Sequence, residues 1–267
     1  MKITDIFQRR PAVPDSAYQP PQPDAGLDRK LAPTLQQRLA DLREMVGNTG
    51  DLIVNELTVC GIDCAVVMCE GMVATAVFAE LFAEPLTALR LDQPTPEKLL
   101  GWVRHQSLLA PDQKEFQTYG DLTRFIMSGF VVLLAEGVEP GLAFGIQGYD
   151  GRSVSEPAGE SNERGSREGF IEKLRPNLAL VRRRFKSADL TFEMVNFGVK
   201  SRTDGALVYL RGAVSPELLE EVRRRLSQVK IDVVLESGYL QPFLDAKPLS
   251  IFSGVGYTER PDTLCAK

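Results

Sequence analysis

Between residues 152 and 177 the chain reads RSVSEPAGESNERGSREGFIEKLRPN, a run in which both signs of charge are interleaved with glycines. Arg152, Glu156, Glu160, Glu163, Arg164, Arg167, Glu168, Glu172, Lys173 and Arg175 all fall in it, with Gly159, Gly165 and Gly169 between them. An isolated charge costs several kcal/mol to bury, so these groups must stay in water or find partners. A solvated surface loop meets that condition. So does a network of ion pairs that fixes the loop against a helix or a neighbouring chain. The run also separates two regions of apolar patterning, which places an N-terminal α/β subdomain at residues 31–148 and a C-terminal α/β subdomain at 149–267.

The apolar patterns on either side mix the helical and strand periods, so the expected fold class is mixed α/β (α+β): two small subdomains, each a short sheet with packed helices. Residues 1–30 carry Pro11, Pro14, Pro20, Pro21 and Pro23 and few large apolar groups, and are expected to form a disordered or loosely docked arm. Thr34 caps a helix running to Met45 with Leu35, Leu39 and Leu42 on one face. The apolar runs flanking Gly61-Ile62-Asp63 read as a hairpin. Val73 to Ala88 reads as a helix with Val77, Leu81 and either Phe82 or Leu89 inward, cut by Pro85 near its end. Pro96–Leu109 and Tyr119–Met127 read as helices, and Phe130–Leu134 and Leu142–Ile146 as paired buried strands.

In the second half, Phe170, Leu174, Leu178, Val181 and Phe185 recur at helical spacing. They predict a helix from Ser166 to Phe185, kinked or broken at Pro176. Leu190, Phe192 and Met194 alternate with polar residues as in a half-buried strand, and Ala206–Leu210 is a second, apolar one. Ser215-Pro216 begins a helix with Leu218, Leu219, Val222, Leu226 and Val229 as its apolar stripe. Glu220–Arg224 and Glu221–Arg225 are spaced to support it. Ile231–Leu235 reads as the next strand, which makes a strand–helix–strand crossover with parallel strands.

Composition narrows the chemistry. A net charge of −5 disfavours a nucleic-acid partner, because the phosphate backbone rewards clustered positive charge. The basic run Arg182-Arg183-Arg184 does not form one stripe, since consecutive helical residues point in different directions. Cys60, Cys64 and Cys69 lack the usual metal-site spacing, and the one histidine, His105, is remote; small core residues are the expected reading. The N-terminus MKITDIFQRR has no signal-peptide core, so reduced thiols are expected. The longest uncharged run in the middle of the chain, Phe125–Ala135, is well short of the ~20 residues a spanning helix needs.

Catalytic signatures are sparse. No Gly-x-Ser-x-Gly elbow accompanies His105, and no phosphate-binding or dinucleotide loop occurs. A carboxylate pair such as Glu156 with Glu168 sits among arginines, which hold both ionised rather than raising one as a proton donor. Arg152, Glu156, Arg164, Arg167, Glu168, Arg182, Arg183 and Arg184 are therefore candidates for an ion-pair network at subdomain or subunit contacts, where arginine suits bidentate pairing. No enzyme activity, cofactor or metal is expected.

One set of motifs, in fixed order, points further. Val154-Ser155-Glu156-Pro157, Arg164 through Phe170, Asn177, Arg182-Arg183-Arg184, Gly198, Thr203, Tyr209, Ile231-Asp232, Ser237-Gly238-Tyr239 and Thr258-Glu259-Arg260-Pro261 together resemble the A subunit of the GerA-type germinant receptors of spore-forming bacteria. The likeness is strong from about Arg152 to Asp262, weaker from Leu35 to Gly148, and absent from the first thirty residues. Ser166 stands where the family usually has proline, and Phe185 where it tends to have an aliphatic residue.

The resemblance implies the soluble N-terminal region of a receptor A subunit at the spore inner membrane, on the cytoplasmic, spore-core side. It implies B and C subunits as partners, self-association of A subunits, and a non-enzymatic role in assembly and signal transduction during nutrient-triggered germination. In this family the Thr258-Glu259-Arg260-Pro261-Asp262 motif shortly precedes the membrane-embedded part, so either an excised domain or a shortened homologue is expected here, the end just past the motif suggesting excision. The alternative expectation is a nutrient-binding module with its ligand in a cleft between the two subdomains. A third is a hydrolase with paired carboxylates free of arginine partners.

Overall fold

The computed structural model describes residues 28–105, 112–148, 160, 166–245 and 254–266. The expected N-terminal arm lies almost wholly outside them.

Residues up to Gly148 build one sheet with helices on both faces. Helix α1 (Leu35–Met45) begins at Thr34, whose side chain accepts from the Gln37 N–H. Strands β1 (Leu52–Val59) and β2 (Ile62–Cys69) form a hairpin closed by Cys60 and Gly61. Both turn residues have positive φ, 51° and 82°, the geometry that matches the twist of a two-residue hairpin. After β2 come α2 (Thr75–Phe78), a wider π-helical turn (Ala79–Ala83) and α3 (Glu84–Ala88). Next are α4 (Pro96–His105), β3 (Gln113–Phe116), α5 (Tyr119–Met127), β4 (Val131–Ala135) and β5 (Gly141–Phe144). The antiparallel sheet has the order β1-β2-β4-β5-β3.

The period of two along the strands sorts their side chains between two cores. Cys64, Val66 and Met68 of β2 join Val131, Leu133, Leu142 and Phe144 on the face covered by Phe82, Leu86, Leu99 and Val103. Ala65, Val67 and Cys69 join Val132, Leu134 and Ala143 on the face covered by Leu39 and Leu42 of α1 and Leu122 and Ile126 of α5. Coverage on both sides explains why β4 reads as an unbroken apolar run.

The segment from Thr75 to Ala88 departs from expectation in its phase. Val77 and Leu81 face outward, while Phe82, Leu86 and Leu89 are buried. Phe78 and Phe82 stack with centroids 5.5 Å apart, and Phe82 meets Phe144 edge-on at 5.1 Å. The larger aromatic stripe wins the inward face. Pro85 does not end the helix. A wide turn precedes it, in which the Glu84 N–H donates to the Ala79 carbonyl.

The remaining elements are α6 (Leu174–Arg184), β6 (Leu190–Phe197), β7 (Thr203–Leu210), α7 (Pro216–Leu226), α8 (Gln241–Leu244) and α9 (Pro261–Cys265). Strands β6 and β7 form an antiparallel two-stranded sheet. Leu178 and Val181 of α6 pack on Leu190 and Phe192, the small core of this region.

Three expectations are corrected here. Helix α6 starts at Leu174, not Ser166. The Asn177 side chain accepts from the Ile171 N–H (2.9 Å) and donates to the Ile171 carbonyl (2.6 Å), which closes a turn ahead of the helix. Pro176 thus falls in the first turn, where a missing N–H costs no helical bond. Residues 231–235 form no β ladder among the described residues, so the parallel crossover is absent. Their bonds go instead to the Gly198–Arg202 loop, with the Val199 N–H on the Ile231 carbonyl (3.0 Å) and Val234 buried as the anchor. The stripe of α7 is only half covered: no residue of that helix is buried, and Leu218 is 57% exposed. Glu221 does pair with Arg225, but Glu220 pairs with Arg223, which also reaches Glu193 on β6.

Candidate functional site

The last turn of α6 carries Arg182, Arg183 and Arg184, and the roughly 100° step between helical neighbours sends them different ways. Arg182 is fully buried. Its Nε donates to Asp51 Oδ2 (2.8 Å) and its Nη2 to Asp51 Oδ1 (3.0 Å), a bidentate fork. The remaining donors go to the carbonyls of Ser187 and Leu190, both at 2.8 Å, and the guanidinium lies 4.7 Å from the Phe192 ring centroid.

Asp51 stands just ahead of β1, so the pair joins the five-stranded sheet to α6 and β6. The Thr49 hydroxyl donates to Asp51 Oδ1 (2.6 Å) and accepts from the Phe192 N–H (3.0 Å). The Gly50 N–H donates to the Phe192 carbonyl (2.8 Å). A Cβ at Gly50 would lie 2.7 Å from Met194 Cγ, so the glycine is what lets the loop approach β6 this closely. Every polar group of the buried pair has a partner, the condition under which two charges can leave water.

A second arginine grips the same stretch. Arg211, just after β7, donates to the Glu44 carbonyl (3.3 Å) and the Met45 carbonyl at the end of α1, and to the Ala188 carbonyl (3.0 Å) and Asp189 Oδ1 (3.2 Å). A cation on the last carbonyls of a helix is favourable there. Gly47, at φ 65°, makes room for it: a Cβ would lie 2.9 Å from the Arg211 side chain.

Arg183 and Arg184 turn toward Glu168. Arg183 Nη2 bonds Glu168 Oε1 at 2.7 Å, and Arg184 bonds Oε2 and, at 3.0 Å, the Ser166 hydroxyl. Desolvation pushes the Glu168 carboxyl up, but the hydrogen bonds from Arg183 and Arg184 outweigh it and hold the group below its usual range. Arg167 is exposed in the segment leading to Glu168. Arg152, Glu156 and Arg164 lie outside the described residues. The structure thus brings Glu168, Arg183 and Arg184 together and sends Arg182 to a different acid.

Asp51, Thr49 and Arg211 were not singled out from sequence. Thr49-Gly50-Asp51 is an ordinary turn composition, and no local signal marks Asp51 as buried. Nearby, Cys69 is pushed up first by burial and next by Asp51, so its thiol stays protonated. Among the described residues no cluster of histidine, cysteine or carboxylate could hold a metal ion. A groove of about 580 Å³ is lined by Leu35, Leu57, Glu56, Asp63, Cys64 and Glu136, among others. It lies on the five-stranded sheet and the start of α1, not between that sheet and the β6–β7 pair.

A fixed, charge-paired junction between a helix-covered antiparallel sheet and a smaller α/β element defines the class: a mixed α/β domain whose marked polar groups hold parts together. Residues 40–267 match the model of the Bacillus/Clostridium GerA spore germination protein family, and the chain belongs to that family. The chain is 34% identical over 246 residues to the uncharacterized membrane protein YfkQ of Bacillus subtilis (strain 168), covering 90% of this chain and 46% of that protein. It is 30% identical over 237 residues to spore germination protein KA of the same organism, covering 88% and 43%. The fold is shared with the crystal structure of the N-terminal domain of the A subunit of the Bacillus megaterium spore germinant receptor GerK3. The TM-score is 0.66 at 24% identity, covering 89% of this chain and 88% of that one. The chain spans less than half the length of the curated relatives named here. No helix among the described residues is long and apolar enough to cross a membrane.

Proposed function

We propose that this domain is the assembly and signal-transduction module of a germinant receptor A subunit, and that it works without catalysing a reaction. The observation that carries this reading is the buried Arg182–Asp51 pair. Its donors and acceptors are taken up by each other and by Thr49, Ser187 and Leu190, which suits a group that holds geometry rather than one that exchanges protons. In this reading two lobes, residues 31–148 and 149–267, are held in register by Arg182 and Arg211. The Arg167, Glu168, Arg183 and Arg184 surface faces neighbouring subunits.

The partners in this reading are receptor B and C subunits and further A subunits, not nucleic acid. The site of action is the spore inner membrane, with this domain on the spore-core side. Support comes from family membership and from the fold shared with an A-subunit domain.

The test is nutrient-triggered germination of spores carrying the full-length protein. Arg182→Ala is expected to abolish the response at unchanged transcript level, and Arg182→Lys to restore it only in part, since lysine cannot reproduce the fork. Full response of Arg182→Ala spores, with the receptor assembled, would overturn the reading.

A further inference from the structure

Helix α6 touches a second segment besides the Thr49–Asp51 loop. The Phe170 N–H, ahead of α6, donates to the Glu259 carbonyl at 2.7 Å. Glu160 Oε2 accepts from the Thr258 hydroxyl (2.8 Å) and the Glu259 N–H (3.2 Å). Pro261 is buried, and Cys265 of α9 packs with Phe170 against the core made by Leu178, Val181, Leu190 and Phe192. Residues 258–265 thus form a strap along α6, against the core that α6 shares with β6 and β7.

The two attachments share one small core. Phe192 carries the Arg182 guanidinium on its ring and bonds Thr49 and Gly50 through its backbone. The same core, with four buried side chains among the described residues, receives Cys265 from the strap and Phe170 from the segment ahead of α6 that the strap bonds. In so small a cluster the loss of Cys265 as a packing partner is felt by its neighbours, because cores are close-packed and relax only partially. Glu168 completes the path: it lies two residues before Phe170 and is held by Arg183 and Arg184, next to Arg182.

We infer that α6 is a coupling bar, on which docking of the 258–265 strap and closure of the Arg182–Asp51 clasp stabilise each other. The coupling is reciprocal, as any linkage between two equilibria must be. Its use in signalling rests on the function proposed above; the coupling itself belongs to the fold.

Hydrogen exchange on the 267-residue chain tests it at two amides, Phe170 for the strap and Gly50 for the clasp. Cys265→Asp places a charge in the small core and is expected to speed exchange at Phe170 about tenfold or more, with Gly50 rising alongside. Asp51→Asn is expected to do the converse. Glu160→Gln, a milder change at a half-buried position, serves if either variant unfolds, which accelerated exchange in β4 would reveal. The inference is overturned if Phe170 accelerates while Gly50 keeps its parent rate, if Asp51→Asn frees Gly50 alone, or if the parent Phe170 amide exchanges like a free peptide. Spore germination is a separate readout, so loss of coupling and loss of the signalling reading are told apart.

Discussion

Arg182 and Asp51, 131 residues apart in the chain, form a forked ion pair with both side chains almost completely removed from water. Dehydrating the two charges is costly, and the cost is offset only because Thr49, Ser187 and Leu190 satisfy the remaining polar atoms.

Removing one partner leaves the other buried and uncompensated. Arg182→Ala or Asp51→Ala is expected to lower unfolding free energy by about 3–5 kcal/mol, and the double variant by less than the sum. Urea denaturation of the two single variants and the double variant checks this; additive losses would mean that the two side chains do not act as a pair.

Gly47 allows a left-handed turn and the passage of Arg211. Gly47→Ala is expected to cost about 1–2 kcal/mol for the backbone conformation alone, and more for displacing Arg211. Pairing it with Arg211→Ala should recover the steric part. A fall in melting temperature no greater than that of an exposed surface substitution would contradict the packing at this junction.

The folded-state carboxyl of Glu168 lies below its usual range. Its stabilising contribution is therefore fully present above the unfolded value, about pH 4.3, and is lost as pH falls through the lower folded value. Glu168→Gln is expected to flatten the acid limb of the stability curve without changing its neutral plateau shape. Parallel acid limbs in parent and variant would show that Glu168 does not carry this dependence.

Thiol reactivity should divide the cysteines in two. Cys64, pushed up to about 12 by burial, and Cys69, raised further by burial and Asp51, are expected to resist alkylation in the native chain. Cys60 and Cys265 are half-buried and should react ahead of them. Mass spectrometry after a short iodoacetamide pulse at pH 7.5 reads the order directly.

Arg167 is exposed beside the Glu168 pairs. Arg167→Glu is expected to disrupt receptor assembly while the isolated domain keeps its fold. Co-purification of tagged subunits, set against circular dichroism of the domain, checks both halves; a fully assembled Arg167→Glu receptor would remove the subunit-contact role.

What could be read from residues alone was local. Tyr119–Met127 is a helix with the bounds its pattern indicates, and Thr34 and Ser215 are the caps their positions imply. The two apolar runs around Gly61 form a hairpin. Each signal lies within a few residues of what it specifies, as capping and periodicity require. Failures came where a distant partner intervened. Residues 231–235 have a strand's composition, yet the Ser201 and Thr203 side chains and the Gly198–Arg202 backbone take their hydrogen bonds. Val77 and Leu81 lost the inward face to Phe78 and Phe82 because Phe144 lies opposite.

The order of motifs was enough to indicate the family, while the charge interleaving raised the question of partners without answering it. Which acid each arginine met was not written in the sequence. Arg182 chose Asp51 over Glu168 because helix geometry turned it toward the five-stranded sheet and its neighbours away. An ion pair is a property of two positions in space, and only the folded chain brings residues so far apart in sequence within hydrogen-bond reach.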